Sequence, residues 1–238
     1  MTSPSTANML NRLINHLDSR DRDLLVPHLM PVRLPRLFVM AEPNVPADCS
    51  YFPETGIGSI IGISPAGSEV EVAIFGREGM SPPNSLFEDT QAPFKVFMQV
   101  EGHGYSIKNE ILFDLLAESR SLRRTLSRYA QTLFVQTAYT SLSNATHSVE
   151  KRLSRWLLMV HDRSEGASLP LTHDFLSSMM NVRRQSVTDS LHVLEGEHFI
   201  SNTRGLVTIR NRDGLQAFAG DAYGVAEAEF DRLIGSMK

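Results

Sequence analysis

The most constraining feature of this sequence is the stretch from Leu171 to Arg210, where two short helical patterns are followed by two strand-like runs. Thr172 is a good N-cap for the first helix, and Asn181 supplies a turn residue before the second. The second helix is predicted to begin at Val182 or Arg183 and to end at Glu195. Its buried stripe is formed by three apolar side chains at i, i+4 and i+7: Val187, Leu191 and Leu194.

The other face of the second helix is polar. In a helix-turn-helix the second helix enters the major groove of DNA, and Arg and Gln near its start are the side chains best suited to bind base edges. The spacing therefore predicts a helix that binds double-stranded DNA. The polar face, called the recognition face below, carries Arg184, Gln185, Ser186, Thr188 and Asp189.

A hairpin is predicted after the second helix, from Phe199 to Arg210, with its turn at Asn202–Gly205. This hairpin is typical of the wing of a winged helix-turn-helix, and Arg204 lies at its tip. Two amphipathic helices and a hairpin also occur in domains that bind no DNA. The order of a capped helix, a tight turn, a polar-faced helix and a hairpin with an exposed arginine favours DNA binding.

Composition limits the class of protein. With 238 residues and 42% hydrophobic content, the chain can form one large domain or two small ones. No apolar run long enough for a membrane span and no signal-peptide pattern are present, so we expect a cytoplasmic protein without a membrane partner. Cys49 is the single cysteine, and it cannot by itself hold an iron-sulfur cluster or a structural zinc. A net charge of −4 favours a few placed arginines over a basic surface that coats nucleic acid.

Short β-like runs separated by Pro and Gly occupy the chain between Val32 and Ile107, after a first segment of helical pattern. Many short strands at such spacing predict a β-sandwich or jelly roll. The predicted strands are Arg36–Val39, Cys49–Phe52, Gly58–Ile63, Val70–Phe75, Lys95–Val100 and Tyr105–Ile107.

A long helical segment follows, and its apolar positions alternate in steps of four and three. Such a seam predicts pairing with the same helix of a second subunit, although a helix packed on the β domain would show the same pattern. A hinge is predicted at Asn144–His147, and Ser148 is expected to cap a helix over Val149–His161. The predicted dimer seam consists of Leu122, Leu126, Tyr129, Leu133, Gln136 and Thr140.

These patterns predict an α+β fold with an N-terminal β jelly roll, a long dimerisation helix and a C-terminal winged helix-turn-helix. The predicted boundaries are 1–118 for the β domain, 119–147 for the dimerisation helix and hinge, 148–214 for the DNA-binding domain and 215–238 for a helical tail. No catalytic motif with useful spacing is found, so we expect no enzymatic activity, no catalytic residues and no metal site.

In this order and at these lengths, the elements resemble the Crp/Fnr family of transcription regulators. The segments that carry the resemblance are Ser148–Leu153, Trp156–Met159, Leu171–Leu176, Val182–Thr188 and Leu191–Glu195. The resemblance implies a cyclic-nucleotide-binding-like sensor domain and a homodimer that binds a palindromic DNA operator. It also makes RNA polymerase a candidate partner.

By the same resemblance, Arg184 and Gln185 fall where the family places base-reading residues, and Ser186 falls where a hydroxyl meets phosphate. Two positions depart from the family: Arg183 replaces a small capping residue, and Asp189 replaces a contacting arginine. Asp189 could accept a hydrogen bond from cytosine or pair with Arg184 or Arg183. The full set of predicted DNA contacts is Thr172, Arg183, Arg184, Gln185, Ser186, Thr188, Asp189 and Arg204.

The effector is harder to predict. In cyclic-nucleotide-binding relatives a Gly-Glu pair holds the ribose, which Gly76–Met80 resembles, but the place of the phosphate-binding Arg-Ser pair reads Ala92-Pro93-Phe94-Lys95. Pro93 has no backbone N–H and Phe94 no charge, so we expect no cyclic-nucleotide dependence and no cofactor. A haem- or small-molecule-dependent sensor, and a ligand-binding module whose winged helix contacts proteins, remain open alternatives. The candidate effector pocket comprises Gly76, Glu78, Gly79, Phe94 and Lys95.

Overall fold

The computed structural model describes residues 9–237 and contains the predicted β-rich domain, long helix and winged helix in that order. Two short helices, α1 (Arg12–Asn15) and α2 (Ser19–Leu25), precede the strands, and a 3₁₀ turn follows at Val26–His28. The strands are β1 (Met30–Leu34), β2 (Val39–Ala41), β3 (Cys49–Pro53), β4 (Ile57–Ile63), β5 (Glu69–Phe75), β6 (Phe94–Val100) and β7 (Gly102–Lys108).

The strands form two antiparallel sheets that face each other across one core. One sheet has the order β1-β7-β3 and the other the order β2-β6-β4-β5. Strand β1 was not predicted, and the strand expected at Arg36–Val39 begins only at Val39, because Arg36 and Leu37 form a turn in which Leu37 has φ +66°. The β-sandwich or jelly roll predicted from the spacing is confirmed.

Two helices continue from the β domain, after which the hinge leads to the C-terminal half. Helix α3 spans Asn109–Glu118 and α4 spans Arg120–Thr146, whose 27 residues correspond to a rod of about 40 Å. Helix α4 ends at the predicted hinge, where His147 is extended. Helix α5 (Val149–Arg163) then begins with the predicted cap, Ser148, whose side chain accepts from the Lys151 backbone N–H.

The C-terminal domain consists of helices packed on a three-stranded sheet of order β8-β10-β9. The remaining elements are β8 (Ser168–Leu169), α6 (His173–Met180), α7 (Arg184–Gly196), β9 (Ile200–Thr203), β10 (Leu206–Ile209), α8 (Arg212–Ala219) and α9 (Val225–Leu233), with a 3₁₀ turn at Gly220–Ala222 and another in the β domain at Pro83–Phe87. Helix α7 starts one or two residues later than predicted, and β8 was not predicted.

Two helices follow the hairpin, and only the second lies wholly within the predicted helical tail. Helix α8 carries Leu215 and Ala219 into the core of the C-terminal domain, so the boundary predicted at residue 214 falls inside a helix of that domain. Helix α9 packs instead along α4, and its Phe230 is buried in the core of the β domain. The last helix therefore returns from the C-terminal domain to the N-terminal one.

Candidate nucleic-acid interface

Helix α7 presents a polar face to solvent. Asn181 ends α6 in the left-handed conformation with φ +49°, and Arg183 forms the extended N-cap of α7 without a side-chain capping bond. Val187, Leu191 and Leu194 are fully buried, as the i, i+4, i+7 spacing requires. The opposite side therefore places the recognition face at the surface.

Two contacts at the protein surface hold three side chains of the recognition face. Arg184 Nε lies 2.7 Å from Asp174 Oδ1 of α6, with the two side chains 64% and 77% exposed. Gln185 Nε2 donates to Asp189 Oδ1 at 2.7 Å. Asp189 thus binds Gln185, whereas the sequence suggested a pair with Arg184 or Arg183. Because exposed ion pairs contribute little stability, a DNA phosphate or base can compete for these side chains.

A residue that sequence analysis did not assign to the interface, His173, connects its three parts. Its Nδ1 lies 2.9 Å from Thr188 Oγ1 of α7, and its Nε2 lies 3.3 Å from Asn202 Nδ2 of the hairpin. Thr172 caps α6 by accepting from the Phe175 backbone N–H at 3.2 Å, as predicted. No sequence signal points to His173, because its partners are 15 and 29 residues away.

The hairpin β9–β10, called the wing below, turns at Arg204–Gly205. Gly205 has φ +74°, a conformation that glycine adopts without steric cost, and Arg204 is exposed at the tip. The Asn202 backbone N–H donates to Glu195 Oε1 at 2.7 Å, which ties the wing to the end of α7. The recognition face and Arg204 are therefore carried by two connected rigid elements.

The candidate effector residues divide between two places. Phe94 and Lys95 lie opposite Gly62 and Ile61 at one end of β4, whereas β5, which leads into the turn with Glu78, ends opposite Gly58. The structure therefore does not bring Phe94 and Lys95 to Glu78. The separation arises because β6 runs antiparallel to β4 and starts at the far end of the sheet.

Glu78 is already bound by the C-terminal domain. Its Oε1 lies 2.7 Å from Arg163 Nε of α5, and the two side chains are only 3% and 2% exposed. Gly79 lies directly under Tyr129 of α4, since a Cβ added there would lie 2.1 Å from the Tyr129 hydroxyl oxygen. That hydroxyl donates to the Met80 carbonyl at 3.0 Å, and burial raises the pKa of Tyr129.

A second buried carboxylate also joins the domains. Trp156 Nε1 of α5 donates to Glu71 Oε1 at 2.6 Å, and Ser59 Oγ lies 2.6 Å from both Glu71 Oε2 and Gln99 Oε1. Burial raises the pKa of Glu71 to about 7, against hydrogen bonds from Ser59 and Trp156 that lower it. Since a serine hydroxyl has one hydrogen, a protonated Glu71 can donate to Ser59 while Ser59 donates to Gln99.

Five of the six residues of the predicted dimer seam are buried within the chain itself. Leu122, Leu126 and Tyr129 are at most 1% exposed, Leu133 and Gln136 are 6% exposed, and Thr140 is half-buried. Gln136 pairs with β5 by accepting from the Ile74 N–H and donating to the Ile74 carbonyl. The helix-on-β-domain alternative fits the burial of the first five of these positions within one subunit.

A β domain, a long helix and a C-terminal winged helix follow one another in this order. Residues 151–218 match the Crp-like helix-turn-helix domain family. The predicted resemblance to Crp/Fnr regulators is thereby confirmed for the fold and for the C-terminal domain.

Solved structures share the fold at low sequence identity. A putative Crp/Fnr-family regulator from Eubacterium rectale has 17% identity and a TM-score of 0.67, covering 87% of this chain and 97% of that one. FixK2 from Bradyrhizobium japonicum has 12% identity and a TM-score of 0.67, with 79% and 95% covered. The c-di-GMP-responsive regulator CLP of Xanthomonas campestris has 18% identity and a TM-score of 0.63, with 81% and 99% covered.

One comparison gives no match. No curated protein sequence matches the chain.

Within residues 9–237, none of the helices is long and apolar enough to cross a membrane. The same residues contain no group of three or more His, Cys, Asp or Glu side chains placed to hold a metal ion.

Proposed function

We propose that this protein is a transcription regulator that binds a two-fold symmetric DNA operator as a homodimer. The observation that carries the proposal is the exposed recognition face on α7, placed beside an exposed wing arginine. Arg184 and Gln185 have the donors and acceptors to read base edges in the major groove. Ser186 and Arg204 bind phosphate, which sets affinity and position but not sequence.

The partner subunit docks on the exposed side of α4. Phe134 is 68% exposed and Leu142 is 49% exposed, and Ala138 lies between them at steps of four residues. Side chains at this spacing share one helix face. A two-fold axis along this face presents two recognition helices, which suits half-sites one DNA turn apart.

The regulator works without a cyclic nucleotide in this proposal. Glu78 is the residue that resembles the family's ribose-binding glutamate, and Arg163 of the C-terminal domain already neutralises it. Pro93 and Phe94 stand where a phosphate would need an arginine and a serine. An added cyclic nucleotide would have to break a buried ion pair to reach Glu78.

Selection of bound sequences from a random DNA library by the purified protein, without added ligand, tests the proposal. A two-fold symmetric site should be enriched. If nothing is enriched, either with the protein alone or after addition of cell extract, the chain does not read DNA. The remaining alternative is then a winged helix that contacts proteins, for which we expect no salt-sensitive DNA affinity.

Substitution of Arg184 then tests the assigned orientation. Arg184→Ala should lower the affinity for the selected site by about 1 to 3 kcal/mol per base pair read and should relax the sequence preference at one position of each half-site. Arg33→Ala, at an exposed arginine of β1, is the matched control and should change neither. An unchanged sequence preference in Arg184→Ala would show that the recognition-helix assignment is wrong.

A further inference from the structure

The last segment of the chain crosses from one domain to the other. Helix α8 packs on α5 within the C-terminal domain, whereas α9 packs along α4. Phe230 of α9 and Met237, beyond its end, lie in the core of the β domain. Phe230 is 2% exposed and Met237 is 7% exposed. We call residues 220–237 the C-terminal strap, because they begin on one domain and end on the other.

The strap also contacts the hinge. Asp221 Oδ1 lies 3.2 Å from Nε2 of His147, the extended residue between α4 and α5. On the α5 side, the Tyr223 hydroxyl donates to the buried carboxylate of Asp162, which also accepts from Arg212 at 2.7 Å. The beginning of the strap is therefore anchored on α5, next to the residues that would have to rotate if the domains moved.

A carboxylate of the strap compensates a buried charge of α5. Arg155 is 6% exposed, and its only described hydrogen bond is a long one, 3.4 Å, to the Gln136 carbonyl. Burial lowers the pKa of Arg155, and Glu227 of α9 is the leading charge that offsets it. Since a buried cation without a counter-charge is costly, Glu227 favours the docked position of the strap.

The face of α9 that packs against α4 leaves almost no free space. Between Glu78, Tyr129 and Gln136 on one side and Ala226 and Phe230 on the other, the remaining cavity is about 10 Å³. That volume holds at most a single water molecule. The strap therefore fills the space between α4 and the Glu78–Arg163 pair.

The end of the strap contacts His16, the residue that follows α1. His16 Nε2 lies 3.2 Å from the Ser236 carbonyl oxygen. Gly235 has φ +132°, and a Cβ added there would lie 2.5 Å from the His16 ring, so this approach requires glycine. The strap is thus held at both ends and along its length.

We propose that the C-terminal strap is a built-in regulatory element that fixes the orientation of the winged helix relative to α4. The strap thereby has the role that an external effector would otherwise have. Its docking holds the hinge at His147, and its release lets the C-terminal domain change orientation. An effect of the strap on DNA affinity rests on the proposed function, whereas its hold on the hinge does not.

Hydrogen exchange of the full-length protein tests the hinge directly. Phe230→Ala removes the buried side chain of α9, and Glu227→Gln removes the charge while keeping a side chain that can cap the Gly224 N–H. Both variants should speed exchange of the backbone N–H groups of residues 142–149 by about tenfold or more. Val225→Ala, at an exposed position of the same helix, is the matched control and should leave exchange unchanged.

The outcomes separate the strap from the proposed function. If α9 exchanges faster in Glu227→Gln or Phe230→Ala while residues 142–149 do not, the strap does not hold the hinge and the proposal is overturned. A change of at least about threefold in affinity for the selected DNA site, relative to Val225→Ala, supports regulation by the strap. Unchanged affinity with a loosened hinge overturns that regulatory role.

Absence of DNA binding in every variant rejects the proposed function, while the exchange result still stands for the hinge. If Phe230→Ala does not fold, Glu227→Gln and Asp221→Asn provide the same comparison.

Discussion

Glu78 and Arg163, which are 85 residues apart in the sequence, form a buried ion pair across the two domains with an Oε1–Nε distance of 2.7 Å. Glu78 follows β5, the edge strand of the β domain's four-stranded sheet, and Arg163 is the last residue of α5, the first helix of the C-terminal domain. The glutamate that resembles a ligand-binding residue therefore serves as an interdomain contact. Domain docking and any ligand for Glu78 would compete for one carboxylate.

Loss of either residue of the Glu78–Arg163 ion pair should destabilise the protein strongly. Glu78→Gln or Arg163→Gln alone should lower the free energy of unfolding by about 3 to 5 kcal/mol, because each leaves a buried charge without its partner. Urea denaturation measures the loss. The double variant should lose clearly less than the sum of the two, and strictly additive losses would mean that the pair is not coupled.

Stability should fall as the pH rises through neutrality because of Glu71. Its pKa is about 7 in the folded protein, against 4.5 for an unperturbed glutamate, so the folded state holds the proton more tightly than the unfolded chain does. The contribution is fully present below pH 4.5 and is lost as the pH rises through 7, an effect of about 3 kcal/mol.

The test for Glu71 is urea denaturation of the wild type and of Glu71→Gln between pH 5 and 8. The glutamine keeps a polar group near Trp156 and Ser59 but does not titrate. The decline with pH should therefore be smaller in the variant. Equal slopes in the two proteins would assign the pH dependence to other groups.

Phe134 should control dimer formation without affecting the fold of the subunit. Phe134→Ser should weaken the dimer by about 2 kcal/mol or more, because it removes an apolar anchor that is 68% exposed within the subunit. Sedimentation equilibrium measures the change. Leu133→Ala, at the neighbouring buried position, should instead lower stability by about 2 to 5 kcal/mol. A fully dimeric Phe134→Ser protein would place the interface elsewhere.

Arg204 should contribute affinity without sequence preference. Arg204→Ala should weaken binding to all sequences alike and reduce the slope of log affinity against log salt by about two, since each subunit of the dimer loses one phosphate contact. Fluorescence anisotropy with the selected site and a scrambled duplex at several salt concentrations gives both quantities. A shift in the preferred sequence would instead assign Arg204 to base reading.

The C-terminal domain could be predicted well because its signals are local. Thr172 and Ser148 cap helices within three residues of themselves, and the buried stripe of α7 follows from a spacing within one element. Their contacts need no knowledge of the rest of the chain. For the same reason the recognition face could be placed on α7 before its surroundings were known.

Which face of α4 packs on the β domain could not be predicted in this way. Two sets of positions repeat in steps of three and four: one contains Leu126 and Leu133, and the other contains Phe134 and Leu142. Which set is buried depends on β5, which supplies Ile74 to pair with Gln136 from 62 residues away. The roles of Glu78 and of α9 were missed for the same reason, because their partners are set by the docking of two domains.

Trp156 is the only tryptophan of the chain, and its indole N–H binds Glu71 across the domain interface. Its emission therefore reports on a single place in the molecule, without any added label. Separation of the domains would transfer this indole from a buried carboxylate to water, which gives a red-shifted spectrum. The protein thus contains an intrinsic fluorophore at the contact between its two halves, suited to following their association in real time.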